Sequence, residues 1–167
     1  MSIIVEKIIS GGQSGGDMGG LLAGQALGIE TGGYCPANWL TENGSTPELR
    51  DFGLQCTHAK GYPPRTRLNV AYGDATLGFG NCNSPGMKLT SRICDELSKP
   101  YYHIPYPYRA PGKNTFWENY YVYLAATKEW VQDNKIYILN VAGNRESKNP
   151  GIQEFVKEFV IKIINIR

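Results

Sequence analysis

Four glycines stand among the six residues from Gly11 to Gly16, after an apolar run from Ile3 to Ile9. Beyond them Met18, Leu21, Leu22 and Ala26 share one face of a helical pattern. Strand, glycine turn and helix form the geometry in which free backbone N–H groups at a helix start point at an anion. Glycine suits such a turn because it reaches positive φ and leaves no Cβ between backbone and ligand. A tight strand-to-helix turn that holds nothing is the competing reading, since glycine-rich turns alone are weak signals.

The elements that must position this turn can be read in order. After the first helix, Gly32-Gly33-Tyr34-Cys35-Pro36 reads as a short extended segment, followed by a long irregular excursion around 37–68. Val70-Ala71-Tyr72 precedes a central strand, Asp74 to Gly80, which leads through Asn81–Gly86 into a helix with Leu89, Ile93, Cys94 and Leu97 on one face. Tyr101–Ile104 reads as a strand, Pro105–Pro111 as a proline-rich loop, and 115–132 as a helix carrying Trp117, Tyr120, Tyr121, Leu124 and Val131. Lys135–Val141 is a last apolar strand. Asn149 and Pro150 read as the cap and first turn of a final amphipathic helix. This alternation predicts one α/β domain over residues 1–167. Its form is a Rossmann-like three-layer sandwich with a mainly parallel sheet of about five strands and helices on both faces. Right-handed crossovers bring Gly11–Asp17, Asn81–Thr90 and Gly143–Ser147 to one sheet edge, where open α/β sheets bind ligands.

At 167 residues, 41% hydrophobic and 19% charged, the chain is long enough for a full core and too apolar for wholesale disorder. A formal charge of +2 gives no general grip on nucleic acid. Neither a membrane span nor a secretory signal is present, so the expected compartment is the cytoplasm. Cys35, Cys56, Cys82 and Cys94 form no close pair in sequence and lie apart from His58 and His103. No metal site is expected, and all four thiols are expected to be reduced and packed. Greasy surface on the aromatic and C-terminal helices predicts a homo-oligomer.

Several ordered motifs then carry a resemblance. They are Ser-Gly-Gly-Gln-Ser-Gly-Gly-Asp (Ser10–Asp17), Gly-Gly-Tyr-Cys-Pro (Gly32–Pro36), Arg-x-x-x-Asn (Arg65–Asn69) and Asp-Ala-Thr-Leu (Asp74–Leu77). Ser-Pro-Gly-x-x-Leu-Thr (Ser84–Thr90), Lys99-Pro100 and Val-Ala-Gly-Asn-Arg-Glu-Ser-Lys-x-Pro-Gly-Ile (Val141–Ile152) follow. The series resembles the molybdenum-cofactor carrier family of the Rossmann-like SLOG superfamily and spans nearly the whole chain. The resemblance implies a binding protein for a phosphate-bearing, nucleotide-like ligand, the molybdenum cofactor or another phosphorylated molecule. Two alternatives stay open: sequestration or sensing of an NAD-derived signalling nucleotide of the cyclic ADP-ribose type, and hydrolysis of an N-glycosidic or phosphoester bond.

On this reading Gly11, Gly12 and Gly15 offer main-chain donors, and Gln13 and Ser14 add side-chain donors. Asp17 caps the turn or accepts from the ligand. Ser84, Gly86 and Thr90 make a second donor-rich turn, with Asn144 and Ser147 in the third loop. Arg65 and Arg145 are the charge partners of a phosphate, and Asn69 reads a ring edge or braces the long loop. Hydrolase relatives carry Pro-Gly-Gly-x-Gly-Thr and a catalytic glutamate. Here the turn is Pro85-Gly86-Met87-Lys88-Leu89-Thr90, and Arg92 stands where a carboxylate would be wanted. That departure favours binding over catalysis. Asp17 and Glu146, with Asp74 behind them, are the acid–base candidates if bonds are broken.

Overall fold

A computed structural model of the chain describes residues 4–59, 61–106 and 115–164. Strand β1 (Lys7–Ile9) feeds helix α1 (Gly16–Leu27), and β2 (Glu30–Cys35) returns beside β1. A small antiparallel hairpin, β3 (Leu40–Thr41) and β4 (Gly44–Ser45), lies between two 3-10 turns, before β5 (Leu54–Cys56) pairs with β2. Helix α2 (Tyr62–Tyr72) leads to β6 (Ala75–Phe79), α3 (Pro85–Glu96) to β7 (Tyr101–Ile104), and α4 (Thr115–Asp133) to β8 (Ile138–Gly143). Helix α5 (Ile152–Ile164) follows. Strand order is β5-β2-β1-β8-β6-β7, and every pairing in this sheet is parallel.

The architecture is the Rossmann-like α/β sandwich that the alternation predicts, with six strands in place of about five. The sixth is β5, inside the stretch read as irregular. Three residues are too few to display a period. That stretch also contains the first seven residues of α2, and Val70-Ala71-Tyr72 continues the same helix. Its buried residues are Thr66, Asn69 and Val70, two of them polar, so no apolar stripe announces it. The usable signal is Gly61 followed by Pro63 and Pro64, prolines that fit a helix's first turn. Residues 107–111 of the proline-rich loop and the Trp117 side chain lie outside the described residues.

Helices α1, α5 and α4 pack on one face of the sheet, and α2 and α3 on the other. Alternation along β6 turns Ala75, Leu77 and Phe79 into the first layer, where the Phe79 ring meets Phe159 at 5.5 Å and Phe155 at 6.2 Å. The opposite side of the same strand carries Thr76 and Gly78. There Asn140 Nδ2 donates to Thr76 Oγ1 at 3.0 Å. The apolar stripe of α5 is buried within the chain, whereas Tyr121 and Val122 of α4 are exposed. Among the described residues no helix is long and apolar enough to cross a membrane.

The buried face of α1 differs from the expected one. Gly16, Gly19, Gly20 and Gly24 are buried with Leu21 and Ala23, while Ala26 is exposed and Met18 and Leu22 are half-buried. Side chains would hold the helix off. A Cβ on Gly16 would lie 2.5 Å from Gly143 Cα, and one on Gly20 would lie 2.6 Å from Val141 Cβ. The close approach draws the start of α1 to the end of β8, which sets two of the three predicted loops side by side. Gly20→Ala should therefore cost about 1–3 kcal/mol of stability by overpacking, measured as a lower urea midpoint. A change below about 0.5 kcal/mol would show that α1 has room to move.

Candidate functional site

Sheet order reverses at β1, and the carboxyl ends of β1, β8 and β6 converge on one cavity of about 780 Å³. That is ample for a nucleotide-sized molecule. Of the residues expected at the site, Gln13, Asp17, Arg65, Ser84, Gly86, Thr90, Asn144 and Arg145 line it. Gly11 and Asn69 instead line a water-sized hollow with Arg65 and Thr90. Gly12, Ser14, Gly15 and Ser147 lie outside both. The cavity also takes Tyr62, Pro63 and Thr66 from α2, Asn81, Asn83, Met87 and Leu89 around α3, and Lys148 and Asn149 beyond β8. Reading 62–66 as loop hid the first group.

The first glycine turn is built differently from its expected role. Gly12 N donates to Ser10 Oγ, Gln13 N to Asp17 Oδ2, Ser14 N to Gln13 Oε1, Gly15 N to Gln153 Oε1, and Gly16 N to Asn144 O. The amides of Gly12 through Gly16 are thus taken up inside the chain, whereas no partner among the described residues meets Gly11 N. Gly15, at φ 87°, serves close packing: a Cβ there would lie 2.2 Å from Asn144 O. Gly11 leaves room for the Arg65 guanidinium, which a Cβ would overlap. The start of α3 faces the cavity as well. Ser84 caps it, accepting from Met87 N at 3.4 Å, and the Gly86 N–H has no partner among the described residues.

Asp17 ties three elements together. Its Oδ2 accepts from Gln13 N and Arg65 Nη1, each at 3.2 Å, and its Oδ1 accepts from Gly143 N at 3.2 Å. Burial pushes its pKa up, and Arg65 with the two amides pulls it back only in part. Asn144 links the other two loops: Nδ2 donates to Ser84 Oγ at 2.9 Å, and Oδ1 accepts from Asn81 N and Asn149 Nδ2. Asn69 acts as a brace, clamping Tyr34 N and O at 2.9 Å each and fastening α2 to β2.

Glu146, the other acid–base candidate, accepts from Gly151 N and Gln153 N and so caps α5, the role expected of Asn149. Asp74 accepts from Tyr137 N and Ile138 N, at the opposite edge of the sheet. Three cations, Arg65, Arg145 and Lys148, therefore line the cavity against a single carboxylate already held by donors. Arg65 and Arg145 also lie 5.3 and 5.2 Å from the centre of the Tyr62 ring. Arg65 Nε is buried without a partner among the described residues.

The thiols divide. Cys35 and Cys94 are buried and Cys56 is half-buried, but Cys82 is exposed, against the expectation of packing. Burial, helped by the neighbouring Cys56 Sγ at 3.8 Å, pushes the Cys35 thiol up to about 12. Among the described residues no group of three or more His, Cys, Asp or Glu could hold a metal ion.

Over residues 8–164 the chain matches the model of the circularly permutated YpsA SLOG family, and it belongs to that family. The crystal structure of a protein named "Putative molybdenum carrier protein", from Syntrophus aciditrophicus SB, is similar to it. The two share 26% identity over 99% of this chain and 98% of that one, with a TM-score of 0.80. No curated protein matches it.

Asp17→Asn tests the balance at the centre of the site. A carboxyl with a raised folded pKa binds its proton more tightly when folded. Its contribution to stability therefore falls as pH rises from the unfolded value of 3.8 to the raised one. The stability of wild type relative to Asp17→Asn, from urea unfolding between about pH 4 and about pH 8, should decline with rising pH. A relative stability that grows instead would mean that Arg65 outweighs burial.

Proposed function

We propose, from membership of the permuted YpsA SLOG family and from the lining of this cavity, that the protein binds a phosphate-bearing, nucleotide-like small molecule and holds it without cleaving it. The observation that carries the reading is the charge of the walls: three cations converge, while the one lining carboxylate is tied to Gln13, Gly143 and Arg65. Arg65, Arg145 and the start of α3 would take the phosphate through charge-assisted hydrogen bonds, with Arg65 Nε as a buried donor in need of an acceptor. Tyr62, Met87 and Leu89 supply an apolar wall for a ring. Holding is favoured over hydrolysis because Glu146 is committed to capping α5 and Asp17 to bracing the turn.

The similar crystal structure is named for molybdenum. The molybdenum cofactor pairs a phosphorylated pterin with a metal on a dithiolene, and this lining suits the phosphate and the ring. Arg65, Arg145 and Ser84 would hold such a cofactor at its phosphate, and Gln13 and Asn144 could meet the ring edge. The metal would bring its own sulfur ligands.

Thermal unfolding with AMP as the probe tests the reading. At a hundredfold excess over Kd, stabilisation should reach about 2.7 kcal/mol, and Arg145→Met should weaken binding about tenfold or more through the lost charged hydrogen bonds. Mass spectrometry after denaturation should recover AMP intact. No stabilisation, or recovery of free adenine with ribose phosphate, would overturn the proposal.

A further inference from the structure

Glu42 sits in the turn of the β3–β4 hairpin, beside the first glycine turn. Its main-chain N–H donates to Gln13 Oε1 at 2.8 Å. Its carboxylate accepts from Ser14 Oγ, Ser147 Oγ and, at 3.3 Å, Ser147 N. Two hydroxyls and an amide thus surround one oxyanion, with the Arg145 charge acting on it as well. Desolvation would raise the pKa of Glu42, but the donors from Ser14 and Ser147 and the charge of Arg145 together hold it below the usual carboxylate range. This is the kind of donor set that a phosphoryl group takes. Gln13 and Arg145 line the cavity while Glu42, Ser14 and Ser147 do not, so the place that Glu42 occupies lies just behind the cavity wall.

We propose that this place is a second phosphoryl subsite, filled by the chain's own Glu42 until a ligand bearing two adjacent phosphates displaces it. The inference rests on the reading of the cavity as a phosphate-holding site, and it narrows the ligand class to diphosphates such as a nucleoside diphosphate. Displacement asks little of the fold. Each strand of the hairpin has two residues, the pair forms a two-stranded sheet of its own, and Asn43, Gly44 and Ser45 are exposed. A phosphoryl group carries more charge than the carboxylate it replaces and gains more from Arg145.

The test compares ADP with AMP by calorimetry on the full chain, for wild type, Glu42→Ala, Glu42→Gln and the double variant Glu42→Ala with Ser147→Ala. Opening the subsite should raise the ADP-over-AMP affinity ratio about tenfold in Glu42→Ala, the scale of a charged hydrogen-bonded contact. Glu42→Gln should give a smaller rise, because the amide still fills the place. Removing the Ser147 hydroxyl as well should erase most of the gain. In wild type, ADP but not AMP should speed hydrogen exchange of the amides of 40–46. If AMP binds and the ratio does not move, the subsite fails while the phosphate cavity stands. If the double variant keeps the whole gain, Glu42 acts by charge repulsion alone and the subsite again fails. If no variant binds either nucleotide, both readings fall together.

Discussion

A buried carboxylate meets donors from three separate segments at the carboxyl edge of the sheet, and the site depends on that meeting. Asp17 opens α1, Gly143 ends β8 and Arg65 lies in the first half of α2, so one side chain fixes the relative positions of a turn, a strand end and a helix. A carboxylate this deep is costly unless donors surround it. The surrounding chain supplies them: the turn folds back to offer Gln13 N, and Gly11 gives up a side chain so that the guanidinium can lie across it. The glycine-lined face of α1 belongs to the same constraint, because only a helix that rides close to β8 brings Asp17 within reach of Gly143 N.

The same economy sets the electrostatics. Acidic groups near the cavity are held by the chain itself: Asp17 at the turn, Glu146 at the start of α5, Glu42 against Ser14 and Ser147. The arginines are less fully matched. Arg65 has one hydrogen bond to Asp17 and a buried Nε without a partner among the described residues, while Arg145 lies over the Tyr62 ring. A cavity framed this way gathers three cationic side chains against one carboxylate although the whole chain has a formal charge of only +2. Local arrangement, more than net charge, gives the cavity its excess of lining cations.

The first glycine turn shows how a strong local signal can lie at the expected sheet edge and still spend most of its amides within the chain. Strand, glycines and helix do put Gly11–Asp17 at the carboxyl edge of the sheet, yet the amides of Gly12 to Gly16 turn to Ser10, Gln13, Asp17, Gln153 and Asn144. Two of these partners, Asn144 and Gln153, lie more than a hundred residues away in sequence, so no local pattern could reveal them. The less conspicuous turn at Ser84–Gly86, with a single glycine, brings a helix start with the unpartnered Gly86 N–H to the cavity.

Alternating apolar runs and turn residues were sufficient to establish the α/β class, the parallel sheet and the convergence of three loops on one edge, because each rests on local periodicity and on the handedness of crossovers. Ser84, Asn144 and Arg145 could be picked out as polar residues of those loops, whereas Arg65 came only with the Arg65–Asn69 motif that carries the resemblance. Helix α2 and strand β5 could not, since a helix that buries Thr66 and Asn69 and a strand of three residues carry no period. Tertiary structure alone decided which donors remain available. Whether an amide or a carboxylate is free depends on partners brought together by the folded sheet, and those contacts are written in no single stretch of the chain.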